Sequence, residues 1–530
     1  MTELLHELIM SAARRLPAAP ALADGPRTQS YGELDVAVRQ LAAGLQSAGL
    51  QRAERVAIYL PKSLENVAAM FATAMAGGVF VPVNPLLKPA QVAHILADSG
   101  ARVLVTSADR LHGLHQALAG LADLVTIVTV DAPPEGLPLA ARLVSLDALV
   151  SGAGTFTSTA TIDDDVVSIF YTSGSTGRPK GVVLTHRNMV SGAYSVASYL
   201  GNGPDDRLLA VLPFSFDYGF SQLSTAFHAG ASVVLLNYLV PNDVLRTAAR
   251  EGVTGLAGVP PLWIQLAALD WPDAVRTSLR YLTNSGGKMP EATLRALRQK
   301  SPGTRVFLMY GLTEAFRSTY LPPELVDVRP TSIGKAIPHA EILVVRPDGS
   351  ECGPNEPGEL VHRGALVAKG YWRDEERTRE RFKPMPDRVG GLPLPEIAVW
   401  SGDLVTRDEE GFLYFVARND EMIKTSGYRV SPTEVEEALY TTQLVAGAVA
   451  FGVEHPELGQ SIAVVVEAPP GGTPDTARLL ETVRRELPAF MVPAIVRWQE
   501  NLPRNPNGKL DRSGIVKQHR PLMEARDHAR

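Results

Sequence analysis

The segment Tyr171-Thr-Ser-Gly-Ser-Thr-Gly-Arg-Pro-Lys180-Gly-Val-Val-Leu-Thr-His186 follows Val166-Val-Ser-Ile-Phe170, a β-branched apolar run that predicts a buried strand. A helix-compatible pattern starts at Asn188, so the residues between read as a strand-to-helix loop. Within Thr172–Gly181 stand three glycines and four Ser or Thr residues. Glycines let backbone N–H groups come close to an anion, and hydroxyls add donors, so such a loop can cradle phosphates. Lys180 supplies a positive charge for them. The spacing is not that of a Walker A loop, because Pro179 stands where the second glycine is needed. Nor is it a Gly-x-Ser-x-Gly nucleophile elbow. Composition alone would also suit a flexible linker.

The ordered string Thr-Ser-Gly-Ser-Thr-Gly-x-Pro-Lys-Gly is more specific than its composition. It resembles the phosphate-binding signature of the AMP-forming adenylating superfamily, which includes acyl- and aryl-CoA synthetases, peptide-synthetase adenylation domains and firefly-type luciferases. The resemblance implies that Thr172, Ser173, Gly174, Ser175, Thr176 and Gly177 bind ATP or AMP and that Lys180 is a catalytic charge.

Composition is compatible with that expectation. With 530 residues, 45% hydrophobic and 20% charged, the chain has room for more than one domain and a large core. The net charge of −6 argues against a general nucleic-acid binder. A single cysteine, Cys352, precludes an internal disulfide. The N-terminus has acids in place of a basic n-region, and no uncharged apolar run is long enough for a membrane span. A cytoplasmic protein is expected.

Over residues 1–330, helical patterns (Tyr31–Leu45, Leu64–Met75) alternate with apolar runs (Arg55–Leu60, Val79–Val83, Arg102–Thr106). Such alternation predicts an α/β fold of βαβ units. From 331 to 419 short runs with Asp-Gly and Gly-Pro turns predict antiparallel hairpins, read as a small β-barrel. A small α+β domain is expected over 420–530, and the resemblance implies that it moves about a hinge at Asp420. The run Pro384–Pro395 has no readable purpose.

Further motifs follow in the superfamily's order. Leu208–Gly219 contains Phe216-Asp217, similar to the Phe-Asp of amino-acid-activating domains, where the Asp pairs with the substrate ammonium. Many acyl-CoA synthetases carry a gating His nearby, which is here Phe216. An Asp at this place could equally cap a helix or face water. Val253–Trp263 would form the acyl-pocket wall at Val259. Gly286, Gly287 and Lys288 would lie along adenine.

Val306-Phe-Leu-Met-Tyr310-Gly-Leu-Thr-Glu314 ends a predicted strand with an aromatic ring, a close-approach glycine, a hydroxyl and a carboxylate, where open α/β sheets bind ligands. By resemblance Tyr310 stacks on adenine, Gly311 borders the nucleotide and the acyl pocket, Thr313 donates to the α-phosphate, and Glu314 holds Mg²⁺ beside ATP. Asp403, in Trp400-Ser-Gly-Asp, would accept ribose hydroxyls, although Ser401 replaces the usual Thr. Arg418 would contact ribose or phosphate, with Ala417 in place of the usual Gly. Lys424 and Gly427 would border a pantetheine tunnel. Lys509, in Pro503-Arg-Asn-Pro-Asn-Gly-Lys-Leu-Asp-Arg512, would bridge the substrate carboxylate and the α-phosphate.

The resemblance implies an AMP-forming ligase that uses ATP and Mg²⁺ to convert a carboxylic acid to acyl-AMP, then passes the acyl group to coenzyme A. An alternative is an amino-acid-activating enzyme that loads the phosphopantetheine of a separate carrier protein. No Gly-Gly-x-Ser-type attachment site follows Lys509, so a carrier would act in trans. A luciferase-like oxidoreductase has no residue here pointing to oxygen chemistry. A non-catalytic nucleotide-binding module would be expected to lack Lys509 or Glu314.

Overall fold

The chain is described by a computed structural model covering residues 3–172, 179–385, 393–418, 422–469, 471–503 and 510–527, with side chains described only to 416 and to 523 in the segments ending at 418 and 527. Its first sheet orders strands Arg142–Ser145, Thr126–Thr129, Ala101–Thr106, Arg55–Tyr59, Val79–Pro82, Val166–Thr172 and Lys180–Thr185. Neighbours are parallel except the last two, which pair antiparallel. Lys180 and Gly181 therefore belong to a strand and not to the loop expected from their composition. The four β-branched or leucine side chains that follow supply the reason, because Val182, Val183, Leu184 and Thr185 are all buried. The helix then starts at His186, two residues before the expected start. Thr185 caps it in reciprocal bonding with Asn188.

A second, larger sheet contains the parallel strands Ser232–Leu235, Arg207–Ala210, Gly255–Gly258, Tyr281–Asn284 and Arg305–Tyr310. Beyond Tyr310 it turns antiparallel and continues through Thr319–Leu321 and Ser332–Ala336 into Leu413–Arg418, Ile397–Arg407, Gly358–Gly364 and Ala340–Val345. The β-rich segment expected after residue 331 thus prolongs the parallel sheet. The main core lies between the two sheets. Helix Leu64–Met75 is buried from Asn66 to Met75, and its Phe71 stacks on Phe220 of helix Asp217–Ala229 at 5.9 Å. Burying one such ring contributes about 2–3 kcal/mol.

A smaller C-terminal sheet contains hairpin Ile423–Thr425/Tyr428–Val430, the antiparallel pair Gly447–His455/Gly459–Glu467, and Ile495–Trp498 parallel to the last. Helix Thr476–Glu486 makes the crossover, as the βαβ reading expects. Cys352 is buried and unpaired. Among the described residues, no helix is long and apolar enough to cross a membrane.

Candidate active site

The antiparallel pairing of Thr172 with Lys180 carries the Lys180 ammonium towards the carboxyl end of strand Arg305–Tyr310. Only glycine fits next to it, since a Cβ on Gly181 would lie 2.5 Å from Ile169 Cγ2. Lys180 Nζ donates to Glu314 Oε1 at 3.1 Å and to the Tyr371 hydroxyl at 2.7 Å. The Tyr371 hydroxyl in turn donates to the same carboxylate oxygen at 2.7 Å. Glu314 sits on a single 3-10 turn, Thr313–Ala315, and the next residue, Phe316, has φ +56. A bulky residue in that region is strained.

Burial works to raise the Glu314 carboxyl, but Lys180, Arg429 and the Tyr371 hydroxyl outweigh it and hold it well below the usual range. Burial pushes the Lys180 ammonium down despite Glu314, and Arg429 and Arg381 push the same way. A small pocket is lined by Lys180, Arg381, Arg429, Glu314 and Tyr371 among others. Three cations around one carboxylate leave an excess of positive charge, and that suits a polyphosphate. Among the described residues no group of three or more His, Cys, Asp or Glu could hold a metal ion by itself. Glu314 alone fits Mg²⁺ only together with phosphate oxygens, which is how that ion is commonly held.

On the nucleoside side, the Tyr310 hydroxyl donates to Asp403 Oδ2 at 2.5 Å, so the expected adenine and ribose residues meet. Asp403 is buried, and its backbone N–H is held by the Ser401 hydroxyl at 3.1 Å. The Ser401 hydroxyl also donates to the Leu360 carbonyl, so the Ser found in place of Thr keeps a positioning role. Thr172 leaves a buried hydroxyl without a partner among the described residues. Gly286 and Gly287 lie beside Val259 and Pro260, and Lys288 is exposed. Ser173, Gly174, Ser175, Thr176 and Gly177 lie outside the described residues, as do the Arg418 side chain, Asp420 and Lys509.

Asp217 neither caps a helix nor faces water. It is the first residue of helix Asp217–Ala229, is buried, and accepts the Thr313 hydroxyl at 2.9 Å. Burial raises its carboxyl, opposed by Arg317 and Thr313. Phe216 flanks it, with its ring 6.0 Å from Tyr218 and near Gly286. Gly311 packs on the Arg317 backbone, where a Cβ would lie 3.2 Å from Cα.

The C-terminal hairpin reaches this site. Gly427 has φ +81, and a Cβ there would lie 2.8 Å from Val259 Cγ2, so the hairpin tip presses on the expected acyl-pocket wall. Arg429 lines the pocket around Glu314, and the Lys424 ammonium lies 5.2 Å from the Phe415 ring centroid. Gln91 donates to Glu434 at 2.8 Å across the same junction. Sequence reasoning missed Tyr371, Arg381 and Arg317. The first stands in Gly370-Tyr-Trp-Arg373, whose aromatic pair in a polar stretch was the only signal. Arg381 offers none, being one of four arginines within Arg373–Arg381.

A cation-lined pocket thus sits at the strand ends, beside the Thr313–Asp217 bond. Residues 9–372 match the AMP-binding enzyme family and residues 434–509 the AMP-binding enzyme C-terminal domain, so the chain belongs to the AMP-forming adenylating enzymes. It is 32% identical over 505 residues to a feruloyl-CoA synthase of an Amycolatopsis species, covering 94% of this chain and 95% of the relative. To an L-proline–[L-prolyl-carrier protein] ligase of Pseudomonas fluorescens it is 30% identical over 528 residues, covering 97% and 99%. Among solved structures, a double mutant of o-succinylbenzoate CoA synthetase of Bacillus subtilis, bound with a CoA product analogue, superposes with a TM-score of 0.81 at 27% identity, over 96% of this chain and 98% of that one. The same synthetase in complex with its acyl-adenylate intermediate gives 0.68 at 28% identity, over 96% and 97%. The chain is an AMP-forming ligase of the acyl-CoA synthetase type.

Proposed function

We propose that the protein activates a small carboxylic acid and passes it to the thiol of coenzyme A, with the site residues in the following roles. A substrate carboxylate oxygen bonds the α-phosphorus of ATP, the bond to the β-phosphate bridging oxygen breaks, and pyrophosphate leaves. The carboxylate is itself the nucleophile, so no general base is needed. Lys180, Arg381 and Arg429 face the phosphates, and Thr313 exchanges its bond to Asp217 for one to the α-phosphate. Tyr310 and Asp403 receive the adenosine. Glu314 would hold Mg²⁺, which supplies further neutralisation of phosphate charge. The observation that carries this reading is the cation-lined pocket around Glu314, one residue from Thr313 and its bond to Asp217.

The thiol step follows from the place of the hairpin. We assign residues 1–419 to an adenylating domain and 420–530 to a domain that turns at Asp420. With Gly427 on Val259 and Arg429 at the phosphates, the described arrangement is the one that would admit a thiol, and Lys509 would serve the other. The higher likeness to the synthetase bound with a CoA product analogue supports this. Thiolate attack on the acyl carbonyl expels AMP and yields the thioester. Substrates of this kind support a cytoplasmic location.

The buried carboxylate of Asp217 favours a second reading, in which an amino acid places its ammonium there and a separate carrier protein takes the acyl group. ATP–pyrophosphate exchange without thiol, on pools of amino acids and of acids lacking an amine, tests both. Exchange confined to amino acids and lost in Asp217→Ala would establish the second reading. Exchange with the other acids, followed by CoA thioester release, would establish the first.

A further inference from the structure

We propose that the acid activated here carries a second carboxylate, and that Arg317 is the residue that reads it. The inference rests on the acid-activating function above and narrows it to dicarboxylic acids.

Next to Asp217, beginning at Tyr218, lies a small cavity between helices His186–Leu200 and Asp217–Ala229 and the parallel strands of the large sheet. Its walls mix apolar groups with Tyr218, Ser221, Gln222, Thr225 and Thr283, and its one ionic lining residue is Arg317. Arg317 is 1% exposed. Its Nη1 donates to the Ser285 hydroxyl at 3.3 Å, while Nε and Nη2 have no partner among the described residues. Those two nitrogens form the lateral edge of the guanidinium, which takes a carboxylate through two parallel hydrogen bonds.

A buried guanidinium keeps its charge, and leaving it unpaired costs several kcal/mol. Even the half-buried Arg280, just before strand Tyr281–Asn284, reaches Asp206 through two bonds of 2.6 and 2.9 Å. Asp217 is the carboxylate that Arg317 feels, yet among the described residues the two form no ion pair and Asp217 is engaged by Thr313. If Arg317 only balanced Asp217, direct contact would lower the cost of burying both. The Tyr218 ring, 4.6 Å from the guanidinium, steadies it without neutralising it. Gln222 Oε1 and Thr225 Oγ1 also lack partners. The Thr225 hydroxyl can donate to an anion, whereas the Gln222 amide nitrogen is directed at the Leu209 carbonyl. A cavity for an alkyl chain has no use for these groups.

The test is ATP–pyrophosphate exchange by the full-length enzyme on acids paired with their own half-amides: succinate with succinamate, glutarate with glutaramate, aspartate with asparagine, glutamate with glutamine. At least one diacid is expected to exceed its half-amide by about a hundredfold or more in kcat/KM, as sites built around a polar partner discriminate. Arg317→Met should abolish that ratio through KM, and Arg317→Lys should restore part of it. The wild-type comparison stands even if a variant fails to fold. Half-amides exchanging as well as their diacids, or a ratio that survives in Arg317→Met, would overturn the inference and leave acid activation intact. Exchange only with acids that carry a single carboxylate would also overturn it. Silence with every acid, within the panel and outside it, would overturn the activating function itself.

Discussion

The Thr313 hydroxyl donates to Asp217 Oδ1 at 2.9 Å, and both residues are buried. This bond joins the residue proposed to meet the α-phosphate to the one that, in the second reading, would meet a substrate ammonium. It also means that Thr313 must change partners when ATP and acid bind. Thr313→Val should therefore lower stability by about 1–3 kcal/mol, because a buried carboxylate loses its donor. It should also slow exchange at saturating acid. Urea unfolding and exchange kinetics on the same sample check both.

Asp217 and Glu314 are expected to respond to pH in opposite directions. Burial raises the Asp217 carboxyl, so its ionisation works against the fold as pH rises above the ordinary carboxylate range. Asp217→Asn should gain in melting temperature over the wild type across that rise. Glu314 is held low by Lys180, Arg429 and Tyr371 despite burial, so its contribution is present above the ordinary range and is lost in acid. Glu314→Gln should then lose stability at neutral pH and cut exchange by about a hundredfold or more. Thermal melts from acid to neutral pH distinguish the two slopes.

Glu434 offers a test of the domain arrangement. Burial raises its carboxyl to about 7, only partly offset by the donor from Gln91. A raised carboxyl means that ionisation disfavours this arrangement. The penalty grows from the ordinary Glu value of about 4.3 up to about 7 and is constant above. Thioester formation from preformed acyl-adenylate should show it. The ratio of Glu434→Gln to wild type is expected to rise through that window and then level off. A ratio independent of pH would remove Glu434 from the junction.

Gly427 and Lys509 should separate the two half-reactions. A Cβ on Gly427 would meet Val259 at 2.8 Å on a backbone with φ +81, so Gly427→Ala should slow thioester formation while exchange persists. Lys509→Ala should do the reverse, abolishing exchange yet still making thioester from synthetic acyl-AMP. Equal losses in both half-reactions for either variant would contradict the rotation at Asp420.

Local chemistry in the sequence was enough to determine the class of fold, and a family resemblance carried by short motifs pointed to the residues proposed for the nucleotide. Alternating helix and strand patterns follow from side-chain periodicity, which needs no partner, and Leu64–Met75 and Ile495–Trp498 form over the expected residues. Tyr310, Thr313 and Glu314 could be named because they stand within five residues at one strand end. Tertiary structure alone decided the rest. Lys180 became a strand residue because its neighbours bury against the core. Tyr371 and Arg381 reach Glu314 or its pocket from more than 50 residues away, and no local spacing encodes such a meeting. Whether Asp217 faced water or the interior depended on the burial of the helix that it begins. Arg317 is one arginine among many in the sequence. It gains meaning only because the fold buries it on a cavity wall with two donors unpaired, and the cost of an unpaired charge depends on its surroundings, not on its neighbours in the chain.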